Sequence, residues 1–80
     1  MITCDQHDYI EIACTFQYPI KLTMKNGDEL TCVAIDTSLD SNKNECIKVE
    51  VNGSTRLVIL NDVSKMQACI DNPHFQSVSF

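Results

Sequence analysis

The sequence predicts a mainly β fold: a small curled antiparallel barrel or sandwich of about five strands, led by one N-terminal α-helix. Three observations carry this expectation. The spacing of apolar residues switches from a helical to an alternating period at Pro19. Two Asn-Gly dipeptides, Asn26-Gly27 and Asn52-Gly53, each separate two runs of strand character. The run after the first of them is apolar on both parities, which suits a strand covered on two faces or strongly bent.

The first element runs from Asp5 to about Phe16. Ile10 and Cys14 repeat at i and i+4 with Ala13 beside them, and Ile12 and Phe16 widen the stripe. Asp5 is placed to act as N-cap, and Asp8, three positions on, favours the positive end of the helix. Asp5, Asp8 and Glu11 recur every third residue, so they share one flank. Pro19 closes the segment. Ile20, Leu22 and Met24 then alternate with Lys21, Thr23 and Lys25, and Asn26-Gly27 offers a two-residue turn with positive φ at both positions. The return strand, about Glu29 to Ile35, sets Leu30, Cys32 and Ala34 against Val33 and Ile35. Thr37 to Asn44 reads as a polar loop and is the candidate exposed functional loop. Ile47, Val49 and Val51 alternate with Lys48 and Glu50, Asn52-Gly53 turns the chain into Thr55 to Leu60, and Val63 to about Ile70 supplies a fifth strand. The tail, residues 71–80, either pairs at an edge or stays mobile.

Eighty residues make one domain, 1–80. With no tryptophan and only three Phe and two Tyr, its core is built mainly from Ile, Val, Leu, Met and Cys. The net charge of −5 and pI near 4.6 are opposite to those of a protein that grips phosphates, and better suit a basic partner surface. Five cysteines with no Cys-x-x-Cys pair make a poor disulfide framework and a poor zinc ribbon. No basic and apolar leader opens the chain and no apolar run is long enough for a membrane span, so a cytoplasmic location with reduced thiols is expected.

Little supports catalysis. No Gly-rich phosphate loop exists, since Gly27 and Gly53 both serve turns, and no histidine is placed to activate a cysteine. Cys4-x-x-His7 has ligand-like spacing and Cys14 lies on the same helix, but packing explains Cys14 better, so neither metal nor cofactor is expected. The acidic flank is the stronger lead: Asp5, Asp8 and Glu11 can accept from Arg and Lys of a partner, with Tyr9 beside them as an amphipathic contact.

The block Cys4-Asp5-Gln6-His7-Asp8-Tyr9-Ile10-Glu11-Ile12-Ala13-Cys14 resembles the start of the Rho-binding antiterminator family, whose pattern there is close to C-D-x-x-D-x-[LI]-E-x-A-C. The likeness continues through Ile20 to Leu30 and, more weakly, from Glu45 to Met66, covering about residues 2–70. It departs where the family writes Arg-Leu-Asp in its last main strand and this chain has Val58-Ile59-Leu60-Asn61-Asp62, with Arg56 nearby. The resemblance implies an Sm-like barrel or sandwich and inhibition of Rho-dependent transcription termination. In the family this comes from binding the N-terminal domains of Rho, where basic primary sites hold RNA. Carried over by position, Asp8 and Glu11 offer carboxylates to the basic site, Asp5 reinforces the negative field, Tyr9 and Ile10 pack nearby, and the loop at Asn42 and Lys43 adds a second contact. The expected partner is Rho, and the chain is expected to act as a monomer without membrane contact. The alternative is an Sm-like, Hfq-like module that binds single-stranded nucleic acid directly, with Lys21 and Lys25 on a strand face. Five Lys and one Arg make that binding weak at most.

Overall fold

The computed structural model describes residues 3–80. Helix α1 (Cys4–Thr15) is followed by β1 (Pro19–Met24), β2 (Glu29–Leu39), β3 (Glu45–Val51), β4 (Ser54–Ile59), a 3-10 turn (Leu60–Asp62), β5 (Val63–Ala68) and β6 (Ser77–Ser79). The six strands form one antiparallel sheet in the order β4-β3-β2-β1-β5-β6. The mainly β architecture with one leading helix is therefore as the sequence predicts. The strand beyond the expected five comes from the tail, where Gln67 pairs with Ser77 and Lys65 with Ser79.

The helix begins earlier than its acidic residues suggest. Thr3, not Asp5, is the N-cap: its hydroxyl accepts from the Gln6 backbone N–H at 3.2 Å while the Gln6 side chain accepts from the Thr3 N–H at 2.8 Å. This reciprocal pair satisfies two donors that the first turn would otherwise leave open. Asp5 sits inside the first turn, where its charge still favours the helix dipole. At the other end the Tyr18 N–H bonds the Ala13 carbonyl, and Gln17 takes positive φ at 51° to break the helix before Pro19.

The two Asn-Gly dipeptides behave differently. Asn52 (φ 52°) and Gly53 (φ 83°) make the two-residue turn that the right-handed twist of a hairpin favours, with Val51 opposite Ser54. At Asn26-Gly27 only Gly27 has positive φ, at 95°. The Asn26 side chain instead accepts from the Asp28 N–H at 2.9 Å, and the turn widens to span Lys25 to Asp28.

Strand β2 is longer than the sequence suggests, because Asp36, Thr37 and Ser38 pair with Lys48, Ile47 and Cys46. The register shifts between Ala34 and Asp36, so Ile35 is the extra residue of a bulge. That bulge accounts for the two-sided apolar pattern: the strand bends, the sheet curls, and the inward parity changes partway along. The polar connection shrinks to Asp40–Asn44.

The curled sheet wraps one core. Ile20 and Leu22 of β1, Cys32 and Ala34 of β2, Ile47 and Val49 of β3, Val58 of β4, Val63 and Met66 of β5 and Val78 of β6 all enter it. The helix adds Ile10, Ala13 and Cys14, the i, i+3, i+4 stripe, and packs mainly on β2. Cys14 and Cys32 have thiols pushed up to about 11, Cys14 by burial and then by Asp36 and Glu11, Cys32 by burial and then by Cys69.

Three outcomes follow for stability and reactivity. Ile47→Ala should lower the unfolding free energy by about 2–5 kcal/mol, and Thr3→Ala by about 1 kcal/mol, both read by urea denaturation. Native-state alkylation followed by mass spectrometry should modify Cys4 and Cys69, the exposed thiols, well before Cys14, Cys32 and Cys46. Because folding raises the pKa of Cys14 and Cys32 above the ordinary 9.0, their contribution is complete below that value and is lost as pH climbs to about 11. The urea midpoint should fall across that window, and fall less in Cys14→Ala.

Candidate functional site

Asp5, Asp8 and Glu11 all lie exposed on α1, which contains no Lys or Arg. The spacing of three brings like charges to neighbouring positions, at a cost of about 0.2–0.5 kcal/mol for each close pair. The flank therefore persists because the rest of the helix is anchored. Ile10, at 0% exposure, is one anchor. This corrects its expected place among the contact residues: it faces the core and no partner atom can reach it in the folded chain. Gln6 is a second anchor, its side chain donating to the Ser79 carbonyl of β6 at 2.8 Å. His7 is a third, with its Nε2 3.0 Å from Glu45 Oε2 at the start of β3.

The His7–Glu45 contact also decides what stands beside the helix. Glu45 is the residue after the Asp40–Asn44 connection, so the pair fastens the root of that loop to the first turns of α1. Within the loop, the Asp40 carboxylate accepts from the Asn42 N–H at 2.8 Å, the Asn44 N–H at 2.8 Å and the Asn44 side-chain amide at 3.0 Å. Those bonds hold the Asp40 carboxyl below its usual range, the Asn44 side chain contributing most. Lys43 takes φ 63°, and Asn42 and Lys43 are exposed at the tip. The structure thus brings the loop root to the acidic helix.

A further acidic residue joins this face. Asp36, which no sequence pattern singles out, follows the β2 bulge and shares a shallow recess with Glu11, Cys14, Thr15, Ile35 and Thr37. After burial, both Asp36 and Glu11 raise the Cys14 thiol, so the two carboxylates lie near it. The only available clue was the two-sided apolar pattern of β2, which signals a bend without saying which polar residue the bend turns outward.

Tyr9 is half-buried and meets Phe75 edge-on, ring centroids 5.7 Å apart. Phe16 is 55% exposed and is stacked between Tyr18 and His74, at 5.6 Å and 5.4 Å. No periodicity could have revealed this cluster, since it joins residues from the two ends of the chain. Elsewhere, a recess of about 660 Å³ lies between the β1–β2 turn and β4, lined by Lys25, Asp28, Arg56, Leu57 and Asp62 among others, and it uses no helix residue.

The remaining sequence candidates do not assemble. Cys4 is exposed, Cys14 is buried and His7 is engaged with Glu45. Among the described residues no group of three or more His, Cys, Asp or Glu side chains is placed to hold one metal ion. Lys21, the proposed start of a phosphate-binding strand face, is paired with Glu29 at 3.2 Å. No described helix is long and apolar enough to cross a membrane.

Comparison with known proteins places the chain in a family. The family model described as "Modulator of Rho-dependent transcription termination (ROF)" matches residues 1–80. Protein rof of Escherichia coli strain K12 is 38% identical over 64 residues, 79% of this chain and 74% of that protein, and protein rof of Shigella flexneri gives the same values. The solved structure of YaeO bound to magnesium from Vibrio cholerae O395 is 44% identical, with a TM-score of 0.87 covering 91% of this chain and 95% of that one. With a family model matched over residues 1–80 and these likenesses in sequence and fold, the chain belongs to the Rof family of modulators of Rho-dependent transcription termination.

Proposed function

We propose that this protein inhibits Rho-dependent termination by occupying the RNA-binding surface of the Rho N-terminal domains with its acidic helix. The observation that carries this is the flank itself: Asp5, Asp8 and Glu11 exposed together, no Lys or Arg on the helix, and ties at its first turns that hold it in place. A basic site that holds RNA phosphates attracts such a surface for the same electrostatic reason. Carboxylates accept charge-assisted bonds from Arg and Lys much as phosphate oxygens do, so they compete for the same basic groups. Asp36 extends the field onto β2, and Asn42 and Lys43 supply polar contacts beside it. The chain acts as a monomer, by binding and without a catalytic step.

Titration of the purified protein against Rho, with and without pyrimidine-rich RNA, tests this reading. Binding should weaken as salt is raised and as RNA is added. Asp8→Lys and Glu11→Lys should each weaken binding roughly tenfold or more, as expected for charge reversal within an interface, while the circular dichroism spectrum stays unchanged and the melting temperature does not fall. If both variants bind as the parent does, the helix is not the contact surface. Tight, salt-sensitive binding to single-stranded RNA without Rho would instead favour a direct nucleic-acid module.

A further inference from the structure

Four of the five aromatic side chains, together with His74, form one connected cluster. Its base is buried. Phe75, at 8% exposure, touches Tyr9 of the helix at 5.7 Å and Tyr18 at 6.2 Å. From Tyr18 the cluster rises as a ladder, Tyr18 to Phe16 to His74. Successive planes lie within 19° and 17° of parallel, and centroids are 5.6 Å and 5.4 Å apart. These are offset stacks, the arrangement aromatic quadrupoles prefer among near-parallel rings. Phe16 is more than half exposed and His74 is exposed, so the outer two rungs stand in solvent.

The ladder adjoins the acidic flank. Asp8, Ile12 and Phe16 succeed one another at intervals of four, a single row along a helix surface. The Phe16 N–H still bonds the Ile12 carbonyl at 3.1 Å, so the ring continues the helical surface past its last turn. The row therefore runs from an acidic group, past the half-buried Ile12, to the stacked planar rings. That sequence of chemistries, anionic and then stacked and planar, is what a short single strand of RNA presents to its binding site. Sites for single-stranded nucleic acid combine a positive groove for the backbone with apolar surfaces against which bases stack. A competitor offering charge alone would leave those apolar surfaces unfilled.

We propose that the His74–Phe16–Tyr18 ladder is a second contact surface for Rho, filling the base-stacking part of the RNA site while the carboxylates of α1 occupy the phosphate-binding part. The inference rests on the reading that the protein competes with RNA on Rho, and it adds the apolar half of that competition. Continuity with the acidic flank and the absence of Lys or Arg from the helix select a basic, base-stacking surface as the occupant over a second copy of this acidic chain. The exposed rungs bear little of the core, so their removal leaves the fold in place.

The test uses the full chain and the Rho hexamer, with affinities measured across a salt series for the parent, Phe16→Ala, His74→Ala, Phe16→Tyr and Asp8→Lys. Phe16→Ala and His74→Ala should each weaken binding about tenfold, the range of aromatic interface anchors, with the slope of log Kd against log salt unchanged, because no ion contact is lost. Phe16→Tyr keeps the ring and should restore affinity, whereas Asp8→Lys should change the slope itself. Parent-like affinity in both alanine variants overturns the ladder while leaving the acidic helix standing. Direct binding of a pyrimidine-rich oligoribonucleotide by the protein alone, lost in Phe16→Ala, also overturns it, since the rings would then serve RNA and not Rho. Failure of the parent to bind Rho at any salt concentration overturns both readings together.

Discussion

A twelve-residue helix with three neighbouring carboxylates and no Lys or Arg has little reason to persist in water. Here it persists because Ile10, Ala13 and Cys14 are seated on β2 inside the curled sheet. Complete burial of one side chain the size of Ile10 contributes about 1.5–3 kcal/mol, more than the like-charge repulsion along the flank removes. The Thr3–Gln6 capping box and the ties to Ser79 and Glu45 then fix the helix at its first turn. The face offered to a partner is thus unfavourable by itself and is stabilised from beneath.

The sheet is shaped to receive that helix. Without the bulge at Ile35, β2 would run straight and the alternation begun by Cys32 and Ala34 would carry on to its end. The bulge bends the strand and leaves Asp36 exposed next to Glu11. One irregularity therefore serves two levels of the structure: it closes the core around the helix and it extends the acidic field. The Lys21–Glu29 pair meanwhile leaves the outer sheet less suited to phosphate.

What the sequence disclosed follows from how local each feature is. The helix, its acidic flank and the Asn52-Gly53 hairpin depend on neighbours within four residues, and all appear where the pattern places them. The N-cap was displaced by two residues because Asp5 and Thr3 are both competent caps, and Gln6 decides between them by completing the box with Thr3. Asn26-Gly27 looks identical to its counterpart, yet the Lys25 N–H bonds the Asp62 carbonyl, a distant partner that favours a wider turn. The polar residues Thr37 and Ser38 read as loop until β3 is there to pair with them. Ile10 was legible as apolar, but its complete burial depends on how the sheet curls. The aromatic ladder could not be read at all, since Phe16 and His74 meet only in the folded chain.

The bond from Gln6 to Ser79 spans 73 residues. As the chain leaves the ribosome, the helix emerges well before β6, and this tie must wait for that strand. Closing so long a separation is slow compared with forming the helix or a hairpin. The acidic surface therefore gains its final setting only after the whole sheet is present, and a nascent chain short of β6 carries the charges without the full support that orients them.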